Sequence, residues 1–239
     1  CLLEPMSLAL KQGEPLTILG QTGSGKSLLA QAIMGLLPAG LRLSGEIKVF
    51  GKVMTIEERQ ALWGRELVML PQEPWHSLDP LMKSVDQVKE VYQFVGEKDA
   101  QEALTIAEED LRYVGLEGSG HKRPGELSGG MAQRLAIIAA TAGGAHVILA
   151  DEPTKGLDVS RRDGIVKLLQ TRSSLGSLLT ITHDVAVARQ LGGSLLVMKE
   201  GRLVEQGEAN RVLDCPRDDY TRELIAAQSN AWTDMAPSI

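Results

Sequence analysis

The stretch Gly20-Gln21-Thr22-Gly23-Ser24-Gly25-Lys26-Ser27 decides how the chain is read. It has the form G-x-x-x-x-G-K-[ST], the pattern of a phosphate-binding loop. Backbone N–H groups can wrap a polyphosphate only where no Cβ intervenes, which accounts for Gly20, Gly23 and Gly25. Lys26 brings a point charge to the β- and γ-phosphates, and the hydroxyl of Ser27 is of the type that ligates a bridging Mg²⁺. The flanks agree. Pro15-Leu-Thr-Ile-Leu19 is a short apolar run between Gly13 and Gly20, predicting a buried strand. Lys26 to Gly35 predicts a helix that ends at a glycine. A helix N-terminus adds roughly half a positive charge facing the phosphates.

Working outward, Glu46-Ile-Lys-Val-Phe50 alternates with period two and predicts a strand at a sheet edge. Thr55-Ile-Glu-Glu58 is a capping box that opens a short helix to about Leu62. Glu66 to Leu70 predicts another buried strand, stopped by Pro71, with Gln72 at its end. A Gln there can reach a metal ion or an attacking water, although a lone loop Gln is ordinarily just solvated. Ser84 to Gly115 is helical and acidic, with Leu104, Ala107, Leu111 and Val114 at helical spacing. It predicts a helical lobe inserted into an α/β domain, the acidic residues forming its solvated face.

Ser128-Gly129-Gly130 opens a helix that runs to about Thr141. A hydroxyl and glycine amides at a helix N-terminus make a second anion site, or simply an N-cap. His146 to Ala150 predicts a buried strand ending in Asp151-Glu152. In proteins with such a phosphate-binding loop, an acidic residue at such a strand end holds Mg²⁺ through water, and the next carboxylate can polarise the attacking water. A turn, Pro153 to Asp158, leads into a helix over 160–171. Leu178 to Thr182 predicts a further strand, with His183-Asp184 at its end, on the edge where ligands gather in open α/β sheets. Asp218 to Ala227 is an amphipathic terminal helix.

This series of motifs, G-Q-T-G-S-G-K-S, Gln72, L-S-G-G-M, I-L-A-D-E-P, G-L-D and T-H-D, resembles the nucleotide-binding subunit of ABC transporters over nearly the whole chain. The segments P-Q-E-P-W-H-S-L-D-P and C-P-R-D-D-Y-T-R-E-L-I, Cys215 to Ile225, are similar to those of the oligopeptide/dipeptide/nickel importer group. The resemblance implies an α/β fold. A P-loop NTPase core, mostly parallel with flanking helices and an antiparallel β edge, would carry an inserted helical signature subdomain. One ABC ATPase domain over 1–239 is then expected, with 1–79 and 144–214 as core, 80–143 as helical subdomain and 215–239 as a C-terminal helical extension.

The resemblance also implies site roles and partners. Gly20, Gln21, Thr22, Gly23, Ser24, Gly25, Lys26 and Ser27 would bind the phosphates of ATP. Ser27 and Gln72 would contact Mg²⁺, with Asp151 behind a water. Lys26 and Gln72 would also serve the reaction, with Glu152 as general base and His183 as γ-phosphate sensor. Ser128, Gly129 and Gly130 would close on ATP held by a second ATPase subunit, identical or paralogous, with Asp158 at the seam. Two transmembrane permease subunits and, indirectly, an extracytoplasmic solute-binding protein complete the expected assembly, placing the chain peripherally on the cytoplasmic face of the cell membrane. The other reading is an ATPase accessory to a soluble enzyme complex, such as a phosphonate-degrading assembly. A chromosome- or repair-type ATPase would need a long coiled coil between phosphate loop and signature, and no sustained heptads occur there.

Three departures stand out. Residues 1–19 contain no Phe, Tyr or Trp, so the aromatic side chain that stacks on adenine in this family is missing, clipped away or supplied from elsewhere. Met131 stands where Gln is more usual. Lys155 replaces a small or polar residue and is expected on the surface.

Composition bounds the alternatives. Over 239 residues, 31 Asp and Glu outweigh 25 Lys and Arg for a net charge of −6, with no dense basic run, which argues against a nucleic-acid partner. Cys1 and Cys215 offer neither metal spacing nor a disulfide framework, and Cys215 alone cannot make an iron–sulfur site. No signal peptide is evident. The longest apolar stretch, Leu135 to Ala150, is interrupted by Gly143-Gly144 and His146 and is too short to span a bilayer. Without an initiator Met, a clipped first strand is also expected.

Overall fold

A computed structural model describes residues 2–233. Cys1 and the last six positions of the expected C-terminal extension lie outside the described residues. A six-stranded sheet has the order β4-β5-β6-β1-β7-β8. Its strands are β1 (Leu16–Leu19), β4 (Leu67–Leu70), β5 (Val147–Asp151), β6 (Ser177–Thr182), β7 (Ser194–Lys199) and β8 (Arg202–Glu208). The first five in spatial order are parallel, and β8 returns antiparallel along the edge. Glu200 and Gly201, both at positive φ, make the tight turn between β7 and β8.

The five parallel strands read as largely apolar, buried runs because both faces are covered, whereas the edge strand β8 is polar and mostly exposed. On β5, Ile148 and Ala150 join a core with α5 (Gly129–Thr141) and α6 (Val159–Arg172). Leu149 points the other way, to a core with Ala30 and Met34 of α1 (Lys26–Met34). A third core gathers Leu19, Leu195 and Val197 with α7 (Val185–Leu191), α8 (Ala209–Asp214) and α9 (Asp219–Thr233). Leu3, Met6, Leu8 and Leu10 pack against the second core without forming a strand.

The stretch Glu46–Phe50 does not join the sheet edge. Only Lys48–Val49 is extended, as β2, and it pairs with β3 (Lys52–Val53) in a separate ribbon. The cause is local: Phe50 and Gly51 have φ of 52° and 77°, the two positive values of a type I′ turn, so the chain doubles back at once. Thr55 caps α2 (Ile56–Gln60) in the expected capping box.

The helical insertion is two helices, α3 (Ser84–Phe94) and α4 (Ala100–Tyr113), broken at Gly96 and Glu97 and restarted by the Asp99 N-cap. Its tie to α6 is a half-buried polar cluster. Asp110 of α4 accepts from Tyr92 of α3 at 2.7 Å and pairs with Arg172. Burial first, then the Asp110 carboxylate, pushes the Tyr92 phenol up to about 12, so it stays a donor at every physiological pH.

Candidate functional site

Parallel strands bring their C-terminal ends to one edge of the sheet. Leu19 sits opposite Thr182, and Asp151 opposite Ile181. The phosphate loop after β1, Asp151 and Glu152 at the end of β5, and His183 after β6 are thereby neighbours in space, though Gly20 and His183 are 163 residues apart in sequence. Gln72, half-buried, follows β4 on the same edge, where Leu70 is paired with Ala150.

The loop conformation explains its glycines more fully than phosphate access does. Gly25 lies at φ 96°, in the left-handed region that favours glycine, and ends the loop as the N-cap of α1. Gly20 needs its missing side chain for a different reason: a Cβ there would stand 2.3 Å from the carbonyl oxygen of Met198 on β7. Lys26, 5% exposed, directs Nζ to the carbonyl oxygens of Gly20 at 2.7 Å and Gln21 at 2.8 Å. Burial lowers its pKa, against the attraction of Glu152 and Asp151. Ser24 is buried beneath it, whereas Gln21, Thr22, Gly23 and Ser27 are exposed.

Asp151 is buried. Burial pushes its carboxyl pKa upward, with Glu152 adding to the rise and a hydrogen bond from Ser27 and the charges of Lys26 and Lys155 opposing it. Its Oδ1 is buried without a hydrogen-bond partner. A buried carboxylate oxygen left over beside a serine hydroxyl suits a hard cation that keeps part of its water shell. The donor pair of Ser27 hydroxyl and Asp151 carboxylate is of the type that fits Mg²⁺ brought in with a nucleotide. Because the folded-state pKa is raised, ionised Asp151 costs stability above the ordinary carboxyl range, and that cost fades as the pH falls through it. Asp151→Asn is therefore expected to raise the Tm of the nucleotide-free protein by roughly 2–4 °C at neutral pH, less at acidic pH, and to abolish the further stabilisation by Mg²⁺-ATP. Calorimetric scans with and without Mg²⁺-ATP check both effects; a lower Tm at neutral pH counts against this account.

Glu152 follows directly. Its φ of 48° is a left-handed backbone in a non-glycine residue, the kind of strain that persists at functional sites. The carboxylate is largely buried and meets Nδ1 of His183 at 2.9 Å from both oxygens, while Thr182 Oγ1 lies 3.4 Å away. An ionised carboxylate only accepts, so this contact puts a proton on Nδ1 of His183 and leaves Nε2 free. His183 is otherwise exposed.

Ser128, Gly129, Gly130 and Asp158 form a second group. Ser128 caps α5 by accepting from Met131 N–H, and Ser128 and Gly129 are exposed. Gly130 packs on Leu157 and Arg161, where a Cβ would lie 3.6 and 3.4 Å from their side chains. Asp158 caps α6 and pairs with Arg161 at 3.2 Å. Lys155 is on the surface.

Reading the sequence missed two residues beside the first group. Tyr220 of α9 accepts the backbone N–H of Gln21 at 3.0 Å, its ring lying under Lys199 Nζ at 4.8 Å. At 7% exposure that ring offers no open stacking face. Gln228, also on α9, brackets the backbone at His183. The signal for Tyr220 was present in the Cys215–Ile225 segment; nothing local marks Gln228.

The fold and the loop define a P-loop NTPase domain. The model of the ABC transporter family matches residues 3–155, and the chain belongs to that family. It is 37% identical over 238 residues to the peptidoglycan transport ATP-binding protein YejF of Agrobacterium fabrum, covering 95% of this chain and 43% of that protein. It is 38% identical over 229 residues to the oligopeptide transport ATP-binding protein OppD of Bacillus subtilis, covering 91% and 64%. The chain thus spans only about half to two thirds of these relatives. Among solved structures, the dimeric post-hydrolysis state of the ATP-binding cassette MJ0796, bound to ADP and Pi, aligns with a TM-score of 0.73 at 28% identity, over 87% of this chain and 90% of that one. The structure of cbiO1 from Clostridium perfringens, part of the ABC transporter complex cbiONQ, aligns at 0.76 and 26%, over 98% and 92%.

Proposed function

We propose that the chain is the ATP-hydrolysing subunit of a peptide-type ABC importer, working as a pair of ATPase subunits at the cytoplasmic face of a membrane. The observation that carries this reading is the divided site. Lys26, Asp151, Glu152 and His183 converge at one sheet edge, whereas the anion-binding type of N-cap at Ser128 is exposed on another element of the same chain. A second subunit supplies the missing donors. The division into a core of 1–79 and 144–214, a helical lobe of 80–143 and an extension of 215–239 is part of the same proposal.

In the proposed reaction the loop from Gly20 to Ser27 orients the phosphates through backbone N–H groups, and Lys26 turns its ammonium from the loop carbonyls to the phosphoryl oxygens. Mg²⁺, when held by Ser27, Gln72 and, through water, Asp151, supplies charge neutralisation at those oxygens. Glu152 takes the proton of the attacking water, while His183 holds the carboxylate through Nδ1 and offers Nε2 toward the γ-phosphate. Ser128, Gly129 and Gly130 of the partner close the other side, with Asp158 at the seam. ATP therefore joins the subunits, and its cleavage to ADP and phosphate separates them.

The names of the relatives favour a peptide or peptidoglycan fragment as cargo, chosen by membrane subunits and a solute-binding protein. Among the described residues no helix is long and apolar enough to cross a membrane, so the proposal needs membrane-spanning partners. Gentle detergent extraction of the tagged chain from its native cell is expected to recover two multi-span permease subunits. Recovery instead of a detergent-independent complex with metabolic enzymes overturns the transport role and favours the soluble accessory reading, leaving the ATP chemistry standing.

A further inference from the structure

We propose that α9 holds the hydrolytic machinery in place from behind, with Gln228 as a positioning residue for His183 and Tyr220 as one for the phosphate loop. The inference rests on the ATPase reading of the Glu152–His183 pair.

Tyr220 and Leu224 of α9 pack in the third core with Leu19, Val197 and Val212. The polar contacts go elsewhere. The Tyr220 hydroxyl accepts Gln21 N–H at 3.0 Å, inside the phosphate loop. Gln228 Oε1 accepts Val185 N–H at 2.8 Å, and its Nε2 donates to the carbonyl oxygen of His183. One amide thus uses both its donor and its acceptor on the stretch 183–185.

Val185 opens α7, so its N–H is one of the donors that a helix leaves unpaired at its start. The Asp184 side chain takes the N–H groups of Ala186 and Val187, and Gln228 takes that of Val185. The His183 backbone is therefore gripped from both sides, by β6 before it and by Gln228 behind it. From there the ring reaches Glu152 at 2.9 Å. Two hydrogen bonds in series, from Gln228 to the His183 carbonyl and from the His183 ring to Glu152, thus run from α9 to the general base. Misplacing a reacting group by about 1 Å can cost a hundredfold in rate, so such a bracket acts on turnover more than on nucleotide binding.

Steady-state ATPase assays separate the two roles. Gln228→Ala is expected to lower kcat about tenfold with KM for ATP changed less than twofold. Gln228→Glu, which still accepts from Val185 but cannot donate to the His183 carbonyl, is expected to lower kcat similarly and guards against a folding failure. Tyr220→Phe is expected to raise KM about threefold with little change in kcat. In a His183→Ala background, Gln228→Ala should cost less than twofold more, because it acts through the histidine. A tenfold loss in both backgrounds, or no loss in either, overturns the proposal. If the unsubstituted chain hydrolyses no ATP, the functional reading fails, and amide exchange then decides the bracket. Faster exchange at Val185 in Gln228→Ala upholds it, and unchanged exchange overturns it.

Discussion

Glu152→Gln is expected to lower the turnover of ATP hydrolysis about a hundredfold or more, with ATP binding retained. A hundredfold is about 2.7 kcal/mol of transition-state stabilisation, the scale of losing a general base. The substitution suits the question because glutamine is isosteric. Its Oε1 can still accept the His183 Nδ1 proton that now meets the carboxylate at 2.9 Å. What disappears is basicity. The fold should not suffer, since Glu152 adds to the rise in the Asp151 pKa and a neutral neighbour relieves that repulsion. With proton abstraction blocked, the ATP-bound pair should persist, so size-exclusion chromatography with Mg²⁺-ATP should show a stable dimer that the unsubstituted chain forms only transiently. Near-normal hydrolysis in the variant would remove Glu152 from the role.

Ser128→Arg is expected to abolish hydrolysis although every residue of its own phosphate loop is intact. Ser128 is exposed and its hydroxyl caps α5, so loss of the cap alone costs about 1 kcal/mol, which a domain of this size tolerates. The large effect comes from bulk and positive charge entering a site completed by the other subunit. This gives a decisive mixing experiment. Ser128→Arg and Lys26→Ala chains should each be inactive alone. In a two-fold pair, one of the two sites of the mixed dimer combines an intact loop with an intact Ser128, so an equimolar mixture should recover roughly a quarter of the normal activity. Full-rate hydrolysis by a monomer, or no recovery on mixing, contradicts the composite site.

Much of this was legible because it is local. The phosphate loop, the Thr55 capping box, the Ser128 N-cap and the buried strands all depend on residues a few positions apart, where spacing and side-chain type carry the information. Other features were hidden for equally physical reasons. The Phe50-Gly51 turn cuts β2 short and pairs it with β3, because two positive φ values end the extended run that the alternating pattern suggests. The break between α3 and α4 turned on Gly96 and the Asp99 cap within an otherwise helical pattern. The Tyr92–Asp110–Arg172 cluster joins elements distant in the chain, and no periodicity announces such a contact.

By itself, the sequence determined that a glycine-rich anion cradle lies between a strand and a helix. It also determined that acidic and imidazole groups follow later apolar runs, since each of these is a matter of composition over a few residues. Only the tertiary structure decided that Lys26, Asp151, Glu152 and His183 share one edge, because strand order and parallel register set which chain ends are neighbours. It alone bent Glu152 into a left-handed backbone and laid α9 across the back of the Gln21 and His183 loops. Those contacts depend on how the sheet and its covering helices pack, and packing is a property of the whole chain.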